Sequence, residues 1–134
     1  MVAKKILLVD DDKDLVTTLS QALVYNNFYV VEAYSAAEGL KKVLSEKPDL
    51  VIFDVMMETD TAGFEAVYQI RSKRETSRYK DVKDVPIIML TAINQVTNSR
   101  FSLNAEQSFL PSISDFLTKP IDTDELIEKI NRYI

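Results

Sequence analysis

The sequence contains no cysteine and no histidine, and it has only two glycines and four prolines. Without cysteine there is no disulfide framework and no thiolate metal site, and without histidine the commonest general base and transition-metal ligand are missing. Any metal bound to this chain must therefore be held by oxygen. With Gly39 and Gly63 alone, neither a dinucleotide fingerprint nor a phosphate-cradling P-loop can be written. Long apolar runs are absent as well. The first, Ile6 to Val9, is cut off by Asp10-Asp11-Asp12 and is too brief for a signal sequence or a membrane span. The expected location is cytoplasmic, with no membrane partner. A formal net charge of -5 opposes general nucleic-acid binding, which needs a field that attracts phosphates.

What is present fits one ordinary globular unit. The 134 residues, 46% hydrophobic and 28% charged, are enough to bury a core without staples, and a single domain spanning 1–134 with no output domain is expected. Ile6-Leu7-Leu8-Val9 has no polar alternation and reads as a strand buried on both faces. Leu15, Leu19, Ala22 and Leu23 then recur at helical spacing until Asn26-Asn27, residues that tolerate a left-handed turn. Tyr29 to Ala33 reads as a half-polar strand nearer a sheet edge. Ser35-Ala36-Ala37-Glu38 has the form of a capping box, opening a helix with Leu40, Val43 and Leu44 on its apolar stripe and Pro48 beyond its end.

Leu50 to Phe53 forms a third strand and delivers Asp54 to its end, a costly place for a charge unless something meets it there. A loop follows from Val55 to Ala62, then a helix marked by Phe64, Val67 and Ile70, then the polar stretch Ser72 to Asp84. That stretch carries Lys73, Arg74, Arg78, Lys80 and Lys83 and reads as a solvated loop. Pro86 to Leu90 is a fourth strand ending at Thr91. One helix is expected within Ala92–Ser114, where periodicity is weak. Asp115-Phe116-Leu117 is a short fifth strand, and Asp122 caps a last helix with Leu126, Ile127, Ile130 and Ile134 on one face. Strands alternating with helices imply a parallel sheet covered on both faces.

In such sheets, ligands bind beyond the carboxyl ends of the strands. That rule gathers residues distant in sequence: Asp10 and Asp11, Asp54, Thr91 and Lys119. Three carboxylates at one place repel and take up protons unless a divalent cation neutralises them, and an oxygen-only ligand set suits Mg2+. An aspartate carboxylate can attack phosphorus to give an aspartyl phosphate. Mg2+ and Lys119 could supply positive charge to the phosphoryl oxygens and Thr91 a hydrogen bond.

The motifs Val9-Asp10-Asp11-Asp12, Asp54-Val55-Met56-Met57, Leu90-Thr91-Ala92 and Phe116-Leu117-Thr118-Lys119-Pro120, in that order, resemble the receiver domain of two-component response regulators. The resemblance spans nearly the whole chain. It implies a flavodoxin-like (βα)5 fold, a doubly wound five-stranded parallel sheet in the order 2-1-3-4-5. It also implies Asp10 and Asp11 as the acidic pair, Asp54 as phosphoacceptor, and the main-chain carbonyl of Met56 as a further Mg2+ ligand. Thr91 takes the switch hydroxyl role, Lys119 the phosphate contact and Phe116 the switch aromatic position, with a cis Lys119-Pro120 bond. The donor would be a histidine kinase or histidine phosphotransfer protein. Such a protein is not an enzyme in the ordinary sense, catalysing only its own phosphorylation and dephosphorylation. Its output would be a remodelled face made of the helix within Ala92–Ser114, the fifth strand and the last helix, presented to a downstream protein by a monomer or a weak phosphorylation-dependent homodimer.

Three features depart from the family pattern. Glu58 stands where proline is usual, in a slightly long loop where it and Asp60 add negative charge near the metal. The chain between Thr91 and Lys119 is also longer than usual and lacks a glycine-alanine pair. The basic stretch Ser72 to Asp84 is the third. Other readings exist for the same residues. Asp12 reads as a helix cap rather than a ligand, and Phe116 as a packing residue that need not switch. Met56 and Met57 read as packing side chains. Two other functions compete: a receiver-like interaction module regulated without phosphate, and an Mg2+-dependent phosphohydrolase, for which clustered acids also serve.

Overall fold

The apolar strand sequences pair with one another in a computed structural model of the chain, which describes residues 3–92 and 113–134. Lys5–Val9 (β1), Tyr29–Ala33 (β2), Leu50–Asp54 (β3), Ile87–Ala92 (β4) and Asp115–Lys119 (β5) form one sheet in the order β2-β1-β3-β4-β5. All four strand pairs are parallel. The fifth strand runs two residues further than its apolar core suggests, so Lys119 is part of the sheet.

Successive residues of a strand point to opposite faces, and here both faces are buried. Leu7, Val9, Val51, Phe53, Ile87 and Met89 pack on one side, beneath Ala36–Glu46 (α2) and Ala62–Ile70 (α3). Ile6, Leu8, Leu50, Ile52, Ile88 and Leu90 pack on the other, beneath Lys13–Tyr25 (α1) and the last helix, Thr123–Tyr133 (α4). The caps fall where polar side chains anticipate them. Asp12, Ser35 and Asp122 accept from first-turn amides of α1, α2 and α4, satisfying donors that have no partner inside a helix. Asn27 takes a left-handed conformation, with φ of 71°, just after α1, and Lys47 does the same after α2, with φ of 47°. The helix expected within Ala92–Ser114 lies outside the described residues.

The basic stretch after α3 is a surface loop anchored through Tyr79 and Val82. Tyr79, only 8% exposed, drops into the core, and a 3-10 turn follows over Lys80–Val82. The sequence marks this tyrosine weakly, because its neighbours are charged.

Candidate functional site

Asp10 follows β1 and Asp54 ends β3, and both carboxylates are buried, at 0% and 5% exposure. The register carries Lys119 to the same level, since Asp54 pairs with Leu90 while Ala92, two residues on, pairs with Lys119. Its Nζ lies 3.1 Å from Asp10 Oδ2 and 3.2 Å from Asp54 Oδ1, so one ammonium bridges two buried acids. Asp10 Oδ1 accepts from the Asp12 amide at 3.0 Å. Asp10 Oδ2 is a buried acceptor with no aligned hydrogen bond among the described residues, its contact with Lys119 being an ion pair by distance alone.

Asp11 is exposed, yet Asp10, Asp11 and Asp54 each offer a carboxylate oxygen within 4.8 Å of the others. Three hard oxygen donors, one of them lacking a hydrogen bond, fit a divalent cation of the Mg2+ type and poorly fit a softer metal. Burial, reinforced by the charge of Asp10, pushes the Asp54 carboxyl up to about 6 against the opposing pull of Lys119. Asp10 is also raised, chiefly by burial. Lys119 loses by burial but gains more from the two carboxylates, and its ammonium is held above the usual range.

A pH dependence follows from Asp54. Its folded pKa of about 6 lies above the unfolded value. The stability it contributes is therefore complete below the unfolded value and lost as pH rises through about 6. Urea titrations of the metal-free protein should show stability rising as pH falls from 7 to 5, with a smaller rise for Asp54→Asn. A steady fall over that range in the wild type would contradict the placement of the charge.

Thr91 lies one residue past the partner of Asp54 in β4 and is 2% exposed. Phe116 is half-buried and packs against the cluster under α2 and α3, which suits a packing residue as well as a switching one. Its backbone is held from α4. Lys129 Nζ donates to the Phe116 carbonyl at 2.9 Å and to Asp115 Oδ1 at 2.9 Å. The Tyr133 hydroxyl donates to the Ser114 carbonyl at 2.7 Å. Nothing in the sequence of the last helix announces this clamp, because Lys129 and Tyr133 lie on its polar side. The Lys119-Pro120 bond is cis.

The loop between β3 and α3 turns on two residues whose roles the sequence understates. Gly63 donates its amide to the Val55 carbonyl at 2.9 Å, and a Cβ there would lie 2.1 Å from the Asp54 carbonyl oxygen. The sequence offers only a glycine where the loop meets the helix, a place its backbone freedom already explains. Glu58 turns to α2 instead of lining the acid cluster: its Oε1 accepts from the Ala36 amide at 2.8 Å and its Oε2 from Ala37 at 3.1 Å. Met57 packs against the core, whereas the Met56 side chain is 42% exposed, contrary to its reading as a packing residue.

The sequence profile described as "Response regulator receiver domain" matches residues 6–131. The chain belongs to the response regulator receiver domain family. Among curated relatives of this receiver, Response regulator MprA of Mycobacterium ulcerans is 32% identical over 126 residues, 94% of this chain and 48% of that protein. The alkaline phosphatase synthesis transcriptional regulatory protein PhoP of Bacillus subtilis is 32% identical over 127 residues, 95% of this chain and 47% of that one. The receiver thus spans about half the length of these relatives. Among solved structures, a CheY-like response regulator receiver domain protein from Methanospirillum hungatei superposes with a TM-score of 0.75 at 30% identity, covering 98% of this chain and 93% of that one. Receiver domains are signalling modules of two-component systems, and no helix among the described residues is long and apolar enough to cross a membrane.

Proposed function

We propose that this receiver accepts a phosphoryl group on Asp54 from the phosphohistidine of a kinase or phosphotransfer protein, and that the acylphosphate switches the face formed around β5 and α4. The observation that carries this reading is Lys119, whose Nζ bridges buried Asp10 and Asp54 beside a three-carboxylate cluster. An Asp54 carboxylate oxygen attacks phosphorus, the O–P bond forms as the P–N bond breaks, and the departing imidazole nitrogen takes the electron pair. The chain needs no histidine of its own for this. Asp10, Asp11, Asp54 and the main-chain carbonyl of Met56 would hold Mg2+, which would spread positive charge over the phosphoryl oxygens.

Lys119 neutralises a phosphoryl oxygen, and Thr91 donates to another from the end of β4. Drawing Thr91 inward leaves space for Phe116, whose carbonyl is tied to Lys129, so movement in β5 is passed to α4. The change is a population shift, as large as the preference of the phosphoryl group for one arrangement over the other.

A small acyl phosphate donor with Mg2+ should add one hydroxylamine-labile phosphate, detected by intact mass. Asp54→Asn should remove it. An equal adduct on the Asn variant would overturn the assignment.

A further inference from the structure

The β3–α3 loop carries Met56, two residues beyond the proposed phosphoacceptor, and a proline does not stiffen it. It is closed on itself through Thr59, whose carbonyl accepts from Met57 at 3.1 Å and from Ala62 at 3.3 Å. Among the described residues, the side-chain hydrogen bonds that tie this turn to a helix outside it come from Glu58. Each of its two carboxylate oxygens takes one amide of the first turn of α2, Ala36 and Ala37. The next amide, Glu38, is taken by the Ser35 hydroxyl at 3.1 Å, and that of Gly39 by the Ser35 carbonyl at 2.9 Å. With the loop docked, each amide of the first turn of α2 has a protein partner.

Helix α2 is a rigid platform for this purpose. A Cβ at Gly39 would lie 2.9 Å from both methyls of Val9 and 3.1 Å from Phe53, so the helix sits directly on β1 and β3, the strands that end in Asp10 and Asp54. A loop fastened to α2 is thus fastened to the frame that carries the two buried acids. The bidentate contact also directs the negative charge toward a helix N-terminus, where it is favoured. Partial burial pushes the Glu58 carboxyl up, but the Ala36 and Ala37 amides outweigh this and hold it below the usual range.

We propose that Glu58 is a positioning residue: its contact with the α2 N-terminus pre-sets the Met56 segment and so raises the affinity of the acid cluster for a divalent cation. The inference rests on the metal reading of Asp10, Asp11 and Asp54. It makes a departure from the family pattern into a working part of this chain's site. Fixing the loop before the cation arrives removes an ordering cost from binding, as other partners just outside a metal's ligands do.

The test is an NMR titration of the full chain with Mg2+ alone, for wild type, Glu58→Ala, Glu58→Gln and Asp54→Asn, at 0.1 M and 1 M KCl. Loss of the contact should shift the Ala36 and Ala37 amide signals before any Mg2+ is added. It should also weaken Mg2+ binding by about tenfold in Glu58→Ala. Glutamine offers one acceptor where two amides need one each, so Glu58→Gln should fall between alanine and wild type. The ratio of variant to wild-type affinity should be the same at both salt concentrations. A ratio that collapses toward one at 1 M KCl would mean that Glu58 acts only through its charge, because such an effect is screened. Unchanged or tighter Mg2+ binding in Glu58→Ala would mean that the contact serves α2 alone. Either result overturns the proposal. Wild-type affinity in Asp54→Asn would instead overturn the metal reading on which it rests.

Discussion

Gly63→Ala is expected to destabilise the protein by about 3 kcal/mol and to lower its melting temperature by about 10 °C. A Cβ at this position would stand 2.1 Å from the Asp54 carbonyl oxygen and 2.9 Å from the Val55 Cα. Both obstacles are backbone, so no rotamer change relieves them. The first turn of α3 must move off the end of β3, losing the bond from the Gly63 amide to the Val55 carbonyl. Exchanging glycine for alanine in a helix returns roughly 1 kcal/mol, which lessens the loss without cancelling it. Gly39→Ala provides the comparison. Its Cβ would meet both methyls of buried Val9 at 2.9 Å and Phe53 at 3.1 Å, a milder overlap than one with backbone at 2.1 Å, so its cost should be the smaller of the two. Urea unfolding of the two variants measures the difference. Equal stability of Gly63→Ala and wild type would mean that the helix does not approach the strand end this closely. Because the strained contact is with Asp54 itself, the surviving folded protein should also accept phosphate more slowly than Gly39→Ala.

These two glycines mark the boundary of what could be read from residues alone. Buried parallel strands are written as apolar runs, so β1, β3 and β4 were legible as such and the half-polar pattern put Tyr29–Ala33 at a sheet edge, whereas β5, with only Phe116 and Leu117 apolar, was read two residues short. Caps are legible because they are local: Asp12, Ser35 and Asp122 each lie within three residues of the amide they serve. The acid cluster needed one further rule, that strand ends converge, and this was enough to bring Asp10, Asp54 and Lys119 together from three strands. Side-chain contacts across long separations carry no such signal. Glu58 and Ala36 are 22 positions apart, and nothing in either residue names the other. The same holds for Lys129 and the Phe116 carbonyl, and for Tyr79, whose burial is hidden by charged neighbours. The sequence read Glu58 as added charge at the metal, and its carboxylate is instead bonded to α2.

Lys119→Met separates two effects that other variants change together. The ammonium is the cation that bridges Asp10 and Asp54, 3.1 Å and 3.2 Å away. Removing it leaves both carboxylates buried against each other with less compensation, which raises further a carboxyl already at about 6. A divalent cation then meets two under-neutralised acids and no longer competes with the Lys119 ammonium. Mg2+ should therefore bind Lys119→Met more tightly than wild type at pH 8, where the acids are ionised, with the gain shrinking as pH falls toward 6 and protons compete. Phosphoryl transfer should move the opposite way. The ammonium is the group available to take charge from a phosphoryl oxygen, and loss of one such preorganised donor costs about 10²–10³ in rate. Tighter metal with slower transfer is the signature of a residue that serves the phosphoryl group. Weaker metal binding would mark Lys119 as part of the scaffold that holds the acids in place. Transfer at the wild-type rate would remove it from the chemistry altogether. Mg2+ titration and single-turnover phosphorylation from a small acyl phosphate, on the same preparation, give both values.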